Sequence, residues 1–243
     1  EGDFTYFYKN DGLQAQSVLY RTDKSGKTEV FLDPNKFSDK GTTSLAGVSF
    51  NKKGNLVAYS ISEGGSDWNK IIILNALTKE KIDESIIDVK FSGASWLGDE
   101  GFFYSSYDKP KGSELSAKTD THKVYFHQLG TKQSADKLII GGENFKRRYM
   151  GVGVSDDERF QFLRASEATN GNELYVKDLQ KKTDFVPIQK GYDFNTNVVD
   201  TKGDFIYALT DKNAPNMRLV KFNINQPAVW TDVIPQTENV LSV

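Results

Sequence analysis

The residues that could do chemistry are few, and their spacing excludes most of what they might do. There are two histidines, His122 and His127. Neither belongs to an H-E-x-x-H pair, and a separation of five on an extended chain puts them on opposite faces. His127 falls in a strand register shared with Thr22, Asn75, Lys177 and Phe222, so a polar surface role or a place between packed sheets is expected of it. Nucleophilic catalysis finds no support. Gly93-Ala94-Ser95-Trp96 lacks the closing glycine of a G-x-S-x-G elbow, and no Ser–His–Asp triad can be assembled from recognisable parts. Carboxylates are plentiful, at 33 Asp plus Glu, but they sit in turns. Asp156-Asp157-Glu158 aligns with Lys52-Lys53-Gly54 and Thr201-Lys202-Gly203, which marks a hairpin tip more than a calcium loop. Paired glycosidase carboxylates stay open, because their separation is not visible in sequence. Gly64-Gly65-Ser66-Asp67-Trp68 reads as a tight connection, with Asp67 bonding local N–H groups and Trp68 packing inward.

What positions these residues is a sentence repeated five times. Its first half is an apolar run, a turn, and a second apolar run. Examples are Val48-Ser49-Phe50…Gly54…Leu56-Val57-Ala58-Tyr59 and Val198-Val199…Gly203…Phe205-Ile206-Tyr207. The turn anchors fall at Gly2, Gly54, Glu100, Glu158 and Gly203, so the spacings are 52, 46, 58 and 45. Its second half recurs as Leu19-Tyr20-Arg21, Ile72-Ile73-Leu74, Val124-Tyr125-Phe126, Leu174-Tyr175-Val176 and Leu219-Val220-Lys221, each followed by a polar turn and one more apolar run. Four short strands per repeat and a period near 40–50 are the pattern of β-propeller blades. Alternation and the Tyr, Phe, Val and Ile content favour strand, and no sustained 3.6-residue stripe predicts a helix. The fold class expected is therefore all-β, one propeller domain over residues 1–243. The repeats span approximately 1–39, 40–88, 89–141, 142–190 and 191–236, with hairpin tips near Lys52-Lys53, Gly98-Asp99, Asp156-Asp157 and Lys202-Gly203. The first copy lacks an innermost strand, and Glu238-Asn239-Val240-Leu241-Ser242-Val243 is expected to supply it and close a five-bladed ring.

A net charge of −2 with interspersed signs gives no nucleic-acid face, and Lys146-Arg147-Arg148 is too short a basic cluster to make one. The absence of cysteine removes disulfides and thiolate metal sites. No apolar run approaches the 18 or so residues of a membrane span. The chain begins at Glu1 and inside a repeat, so a cut N-terminus is expected.

Several segments resemble a known family. They are Gly65-Ser66-Asp67-Trp68, Val89-Lys90-Phe91-Ser92-Gly93-Ala94-Ser95-Trp96, Gly101-Phe102-Phe103-Tyr104-Ser105-Ser106-Tyr107-Asp108-Lys109-Pro110, His122 through Thr131, and Ala168 through Tyr175. Together they resemble the propeller of the prolyl oligopeptidase (prolyl endopeptidase) family, most closely its bacterial members and along the whole chain. The resemblance implies a seven-bladed parent propeller and an α/β-hydrolase catalytic domain, as partner, that this chain does not contain. It implies short proline-containing peptides as substrates and a periplasmic or cytoplasmic bacterial setting; no cofactor, no metal and no membrane are expected. Phe103, Met150 and Thr169 match family positions that line the substrate pocket. Thr169 stands where mammalian members have cysteine, and Ser166 where they have an arginine that reads the far end of the substrate. Core packing is the competing explanation for Phe103 and Met150.

Three functional readings follow: the non-catalytic, substrate-gating propeller of a prolyl oligopeptidase-type serine peptidase; a stand-alone propeller binding or scaffold module; and a propeller glycosidase or lectin. Far-UV circular dichroism of the chain is expected to be dominated by strand. A spectrum dominated by helix overturns the fold reading.

Overall fold

The protein is described by a computed structural model covering residues 1–108 and 120–242. Its strands form five antiparallel sheets in strict sequence order. Blade 1 has three strands, β1 (Thr5–Lys9), β2 (Val18–Thr22) and β3 (Thr28–Leu32). Blade 2 has β4 (Thr43–Phe50), β5 (Leu56–Glu63), β6 (Trp68–Asn75) and β7 (Ile86–Lys90). Blade 3 has β8 (Ser95–Leu97), β9 (Gly101–Ser106), β10 (Lys123–Gln128) and β11 (Lys137–Gly141). Blade 4 has β12 (Tyr149–Val154), β13 (Phe160–Ser166), β14 (Glu173–Asp178) and β15 (Val186–Gln189). Blade 5 has β16 (Thr196–Lys202), β17 (Phe205–Thr210), β18 (Arg218–Asn223) and β19 (Gln226–Ile234). Helix among the described residues is limited to three 3-10 turns of three residues each. Blades 1–3 form one compact unit; blades 4 and 5, with the segment around His122, form a second.

The tips fall where the repeats place them, between the first and second strands. At two of them the same chemistry recurs. Asn51 and Ser155 each precede a turn, closed by Gly54 N–H on the Asn51 carbonyl and Glu158 N–H on the Ser155 carbonyl. Their side chains then accept the first N–H of the next strand, Leu56 (3.0 Å) and Phe160 (2.9 Å). Gly54 sits at φ +69°, and a Cβ there would meet the Gly2 nitrogen at 2.2 Å. The blade 1 tip thus rests on the blade 2 tip through bare backbone. In blade 5 the turn itself is Gly203-Asp204, because Lys202 still belongs to β16.

The middle strands carry the core because both their faces are covered. All six residues of β9 are buried, and β14 alternates buried with half-buried positions. Ile71, Ile73, Val89, Trp96, Phe102 and Tyr104 pack between blades 2 and 3. Leu19, Phe31, Val57 and Leu74 do so between blades 1 and 2, and Phe160, Val176, Ile206, Val220 and Phe222 between blades 4 and 5. A fully buried side chain of this size contributes roughly 1.5–3 kcal/mol.

Polar ties fix which blade meets which. Trp96 Nε1 donates to the Ser49 carbonyl across blades 2 and 3 at 3.1 Å. Arg21 of blade 1 pairs with Glu29 and donates to the Ala76 and Leu77 carbonyls of blade 2. Arg159 of blade 4 bonds Asp178 of its own blade and Asp204 and the Gly203 carbonyl of blade 5. His127 is wholly buried. Its Nδ1 lies 2.8 Å from Asp136 of blade 3 and its Nε2 3.3 Å from Asp83 of blade 2. The interface role expected of His127 is met and the surface role is not.

Four details differ from the sequence reading. The boundary at 88/89 cuts β7, which runs to Lys90 because Val89 and Lys90 pair with Asn69 and Trp68. Leu74, not Asn75, shares the register of His127, since Leu74 faces Val57 as His127 faces Phe102. Asn75 instead turns its side chain to cap the Leu77 and Thr78 N–H groups. Ser66, not Asp67, makes the local bonds of the 64–67 connection: its hydroxyl takes the Trp68 N–H at 3.0 Å, while Asp67 lies 3.8 Å from Lys90. Residues 238–242 form no strand, and among the described residues the blade 1 sheet has three strands. Asn216 holds this tail on blade 5, donating to the Thr237 and Glu238 carbonyls and accepting the Leu241 N–H at 2.8 Å.

The His127 cluster makes stability depend on pH. Burial alone lowers the pKa of this imidazole, but the carboxylates of Asp136 and Asp83 outweigh burial and raise it above the ordinary value. A raised folded pKa gives stabilisation that is full below the unfolded value of about 6.5. That stabilisation is lost as pH rises through the folded pKa. H127Q leaves Asp83 and Asp136 without a counter-charge, although Gly130 N–H and the Tyr104 hydroxyl still donate to them, and should destabilise by about 3 kcal/mol. Urea midpoints measured from pH 6 to pH 9 should fall for the parent relative to H127Q; a constant difference overturns the assignment.

Candidate functional site

The three positions marked by resemblance occupy different environments. Phe103 lies in β9, paired with Ser95 and Phe126, on the strand face opposite to Phe102 and Tyr104. It is buried, and its ring lies 4.8 Å from that of Phe126, tilted by 49°. Met150 and Thr169 belong to the second compact unit. Met150 is the second residue of β12, is 1 % exposed, and pairs with Ala165. Its N–H donates to Nδ1 of the buried His122 at 2.9 Å. That bond leaves the proton of a neutral imidazole on Nε2. His122 therefore holds the entry of β12 from 28 residues upstream, a role no local sequence signal marks.

Thr169 is exposed, in the loop between β13 and β14. Strong anchors at the end of that loop fix it. Asn172 is fully buried, donates to the Thr196 carbonyl at 3.0 Å and accepts the Thr196 N–H at 2.9 Å. Gly171 donates to Asn195 Oδ1 at 2.9 Å, and a Cβ on it would meet the Tyr192 carbonyl oxygen at 1.7 Å. A side chain has no room there, so glycine is required by close backbone approach. At the loop's start Arg148 pairs with Glu167, and its guanidinium sits 4.7 Å above the Tyr192 ring. Thr169 is thus carried on a loop tied at both ends, which gives a binding residue a fixed position. Ser166, at the end of β13, is buried and 3.3 Å from Arg164 Nη1.

Among the described residues the histidines are committed to structural bonds. Both histidines are wholly buried; His122 accepts a backbone N–H and His127 is held between two carboxylates. At the blade 4 tip Asp157 accepts the Ser155 hydroxyl at 2.6 Å and the Arg159 N–H at 3.1 Å, so it closes the hairpin. Among the described residues no His, Asp and Glu side chains cluster as metal ligands.

The chain resembles known proteins along its full length. The family model for the prolyl oligopeptidase N-terminal beta-propeller domain matches residues 1–243. The prolyl endopeptidase of Elizabethkingia meningoseptica is 70% identical over 246 residues, covering 100% of this chain and 35% of that protein. Prolyl oligopeptidase A of Galerina marginata is 28% identical over 271 residues, covering 98% of this chain and 37% of that protein. The chain therefore spans about a third of the length of these curated relatives. A structure solved in a structural and mechanistic analysis of two prolyl endopeptidases superposes with a TM-score of 0.89 at 26% identity, over 100% of this chain and 35% of that one. Apo prolyl oligopeptidase B of Galerina marginata superposes with a TM-score of 0.85 at 23% identity, over 97% of this chain and 36% of that one. The fold is the all-β propeller of antiparallel blades that the repeats imply.

The environments separate packing from presentation. M150A should destabilise the protein by about 2–5 kcal/mol and F103A by about 3–5 kcal/mol. T169A should stay within about 0.5 kcal/mol of the parent. Urea denaturation checks all three, and a large loss at Thr169 would show that the loop is packed, not displayed.

Proposed function

The chain belongs to the prolyl oligopeptidase N-terminal β-propeller family, and from that premise we propose that it is the non-catalytic, substrate-gating portion of a longer serine peptidase that cleaves short peptides after proline. The observation that carries this reading is the 70% identity to a prolyl endopeptidase of which the chain matches 35%. The remaining length of such a relative is room for an α/β-hydrolase domain holding the triad absent from these residues. The partner of this propeller is then that catalytic domain, and its ligands are short proline-containing peptides.

Phe103, Met150 and Thr169 are the proposed contacts with the non-prime side of the substrate. Support for Thr169 is its exposure on a fixed loop; support for Phe103 and Met150 is their match to family pocket positions. Both side chains are apolar and carry no reactive group, and both are buried within this chain, so any contribution is apolar contact. Remote apolar contacts of this kind are worth roughly 1–3 kcal/mol in discrimination.

Two measurements test this. The chain alone should not turn over a Gly-Pro chromogenic substrate; turnover blocked by a serine-directed phosphonate, with full-length enzyme excluded, overturns the non-catalytic assignment. In the full-length protein F103A should lower kcat/KM for longer peptides by about tenfold while sparing a dipeptide substrate. Unchanged kinetics with lost stability would make Phe103 a packing residue only.

A further inference from the structure

Blades 4 and 5 leave a groove of about 420 Å³ between their innermost strands, β12 and β16. Gly151 and Gly153 of β12 line it, and a Cβ on either would meet nothing within 4 Å. Arg164 of β13 lines the same space beside Gly151, its pairing partner.

Arg164 is unlike the other arginines held against the protein. Arg21, Arg148, Arg159 and Arg218 each pair with a carboxylate. Among the described residues Arg164 makes no ion pair, and its one side-chain bond runs from Nη1 to Ser166 Oγ at 3.3 Å. Its Nε is enclosed without a partner, as is that of Arg218, so the missing carboxylate is what sets Arg164 apart. Burial lowers its pKa from the usual arginine value, yet a guanidinium stays charged under physiological conditions. The guanidinium borders the groove with no carboxylate of the described residues beside it, and an incoming carboxylate supplies the missing counter-charge through charge-assisted bonds.

The opposite end of the groove has the opposite sign. Asp156 and Asp200 line it there and are exposed. Asp156 lies in the tip turn just past Val154, the last residue of β12, so roughly 10 Å of extended strand separates Gly151 from that turn. The Arg164 guanidinium leans the other way, toward Ser166 at the far end of β13.

We infer that this groove binds a short zwitterion in extended form, its carboxylate on Arg164 and its ammonium at Asp156 and Asp200. A free peptide of about four residues spans that separation. The site is independent of peptide cleavage, because the ligand needs only its two charged ends.

Isothermal titration of the full-length protein with tetraglycine, which has no prolyl bond, tests the site. Tetraglycine amide lacks the carboxylate and N-acetyltetraglycine lacks the ammonium. Each should bind at least about tenfold more weakly than tetraglycine. R164Q should reduce tetraglycine binding to the level of the amide, and D200N should weaken tetraglycine while leaving N-acetyltetraglycine unchanged. G153L fills the groove where space is open, so it should abolish binding with the thermal midpoint and Gly-Pro chromogenic turnover unaltered. If R164Q does not fold, G153L decides the matter alone. Equal affinity for tetraglycine and its amide, undiminished binding by G153L, or no binding at about 10 mM tetraglycine overturns the inference.

Discussion

A four-stranded blade with apolar residues on both faces cannot bury either face by itself. That constraint governs everything else in this chain. Repeat units of this kind become stable only when neighbours stack, so each sheet's core is completed by the next one. It explains why β9 is buried at every position while innermost and outermost strands are mixed. It also explains why the apolar clusters lie between blades and not within them: Trp96 and Phe102 of blade 3 pack with Ile71 and Ile73 of blade 2. Apolar packing of this sort is non-directional, however, and would tolerate one blade sliding past another.

Directional bonds remove that freedom. Arg21 reaching the carbonyls of residues 76 and 77, His127 held between Asp83 and Asp136, and Arg159 shared by Asp178 and Asp204 each bind two consecutive blades at fixed offsets. Each tie is enclosed enough that leaving one member unpaired is costly. The packing supplies the energy and the ties supply the register. The exposed loop of Thr169 depends on the same division of labour. Asn172 and Gly171 lock its base to the segment entering blade 5 by bonds between side-chain amides and backbone, so the loop inherits the rigidity of the blade contact.

Features set by local sequence were legible; features set by pairing at a distance were not. The tips could be read because Gly54 and Gly203 stand at positions where the turn needs positive φ, and Glu158 adopts the same conformation in the matching place. The strands could be read because two-residue alternation and β-branched content are local. By contrast, nothing near His127 in sequence announces Asp83, 44 residues away. Nothing near Met150 announces His122. Asn75 reads as a strand residue because it continues an apolar run, and only the pairing of Leu74 with Val57 shows that it turns out to cap a loop. The tail was misread for a similar reason. Val240-Leu241 looks like a strand, but Asn216 offers its backbone acceptors and side-chain donors first.

Arg164 illustrates the limit of reading by position. In sequence it is one charged residue in Gln161-Phe162-Leu163-Arg164-Ala165-Ser166, and alternation gives only its side of the strand. Its significance comes from what does not accompany it. Two glycines face it on β12, and the carboxylates that neutralise Arg148 and Arg159 lie elsewhere. A blade interface that ties its other buried cations to acids has left this one facing open space. Where close packing and paired charge hold the rest together, a cavity bordered by an uncompensated charge is a departure that stability does not explain. Such departures collect where a protein meets a ligand, because a site already satisfied by its own residues has nothing to offer one.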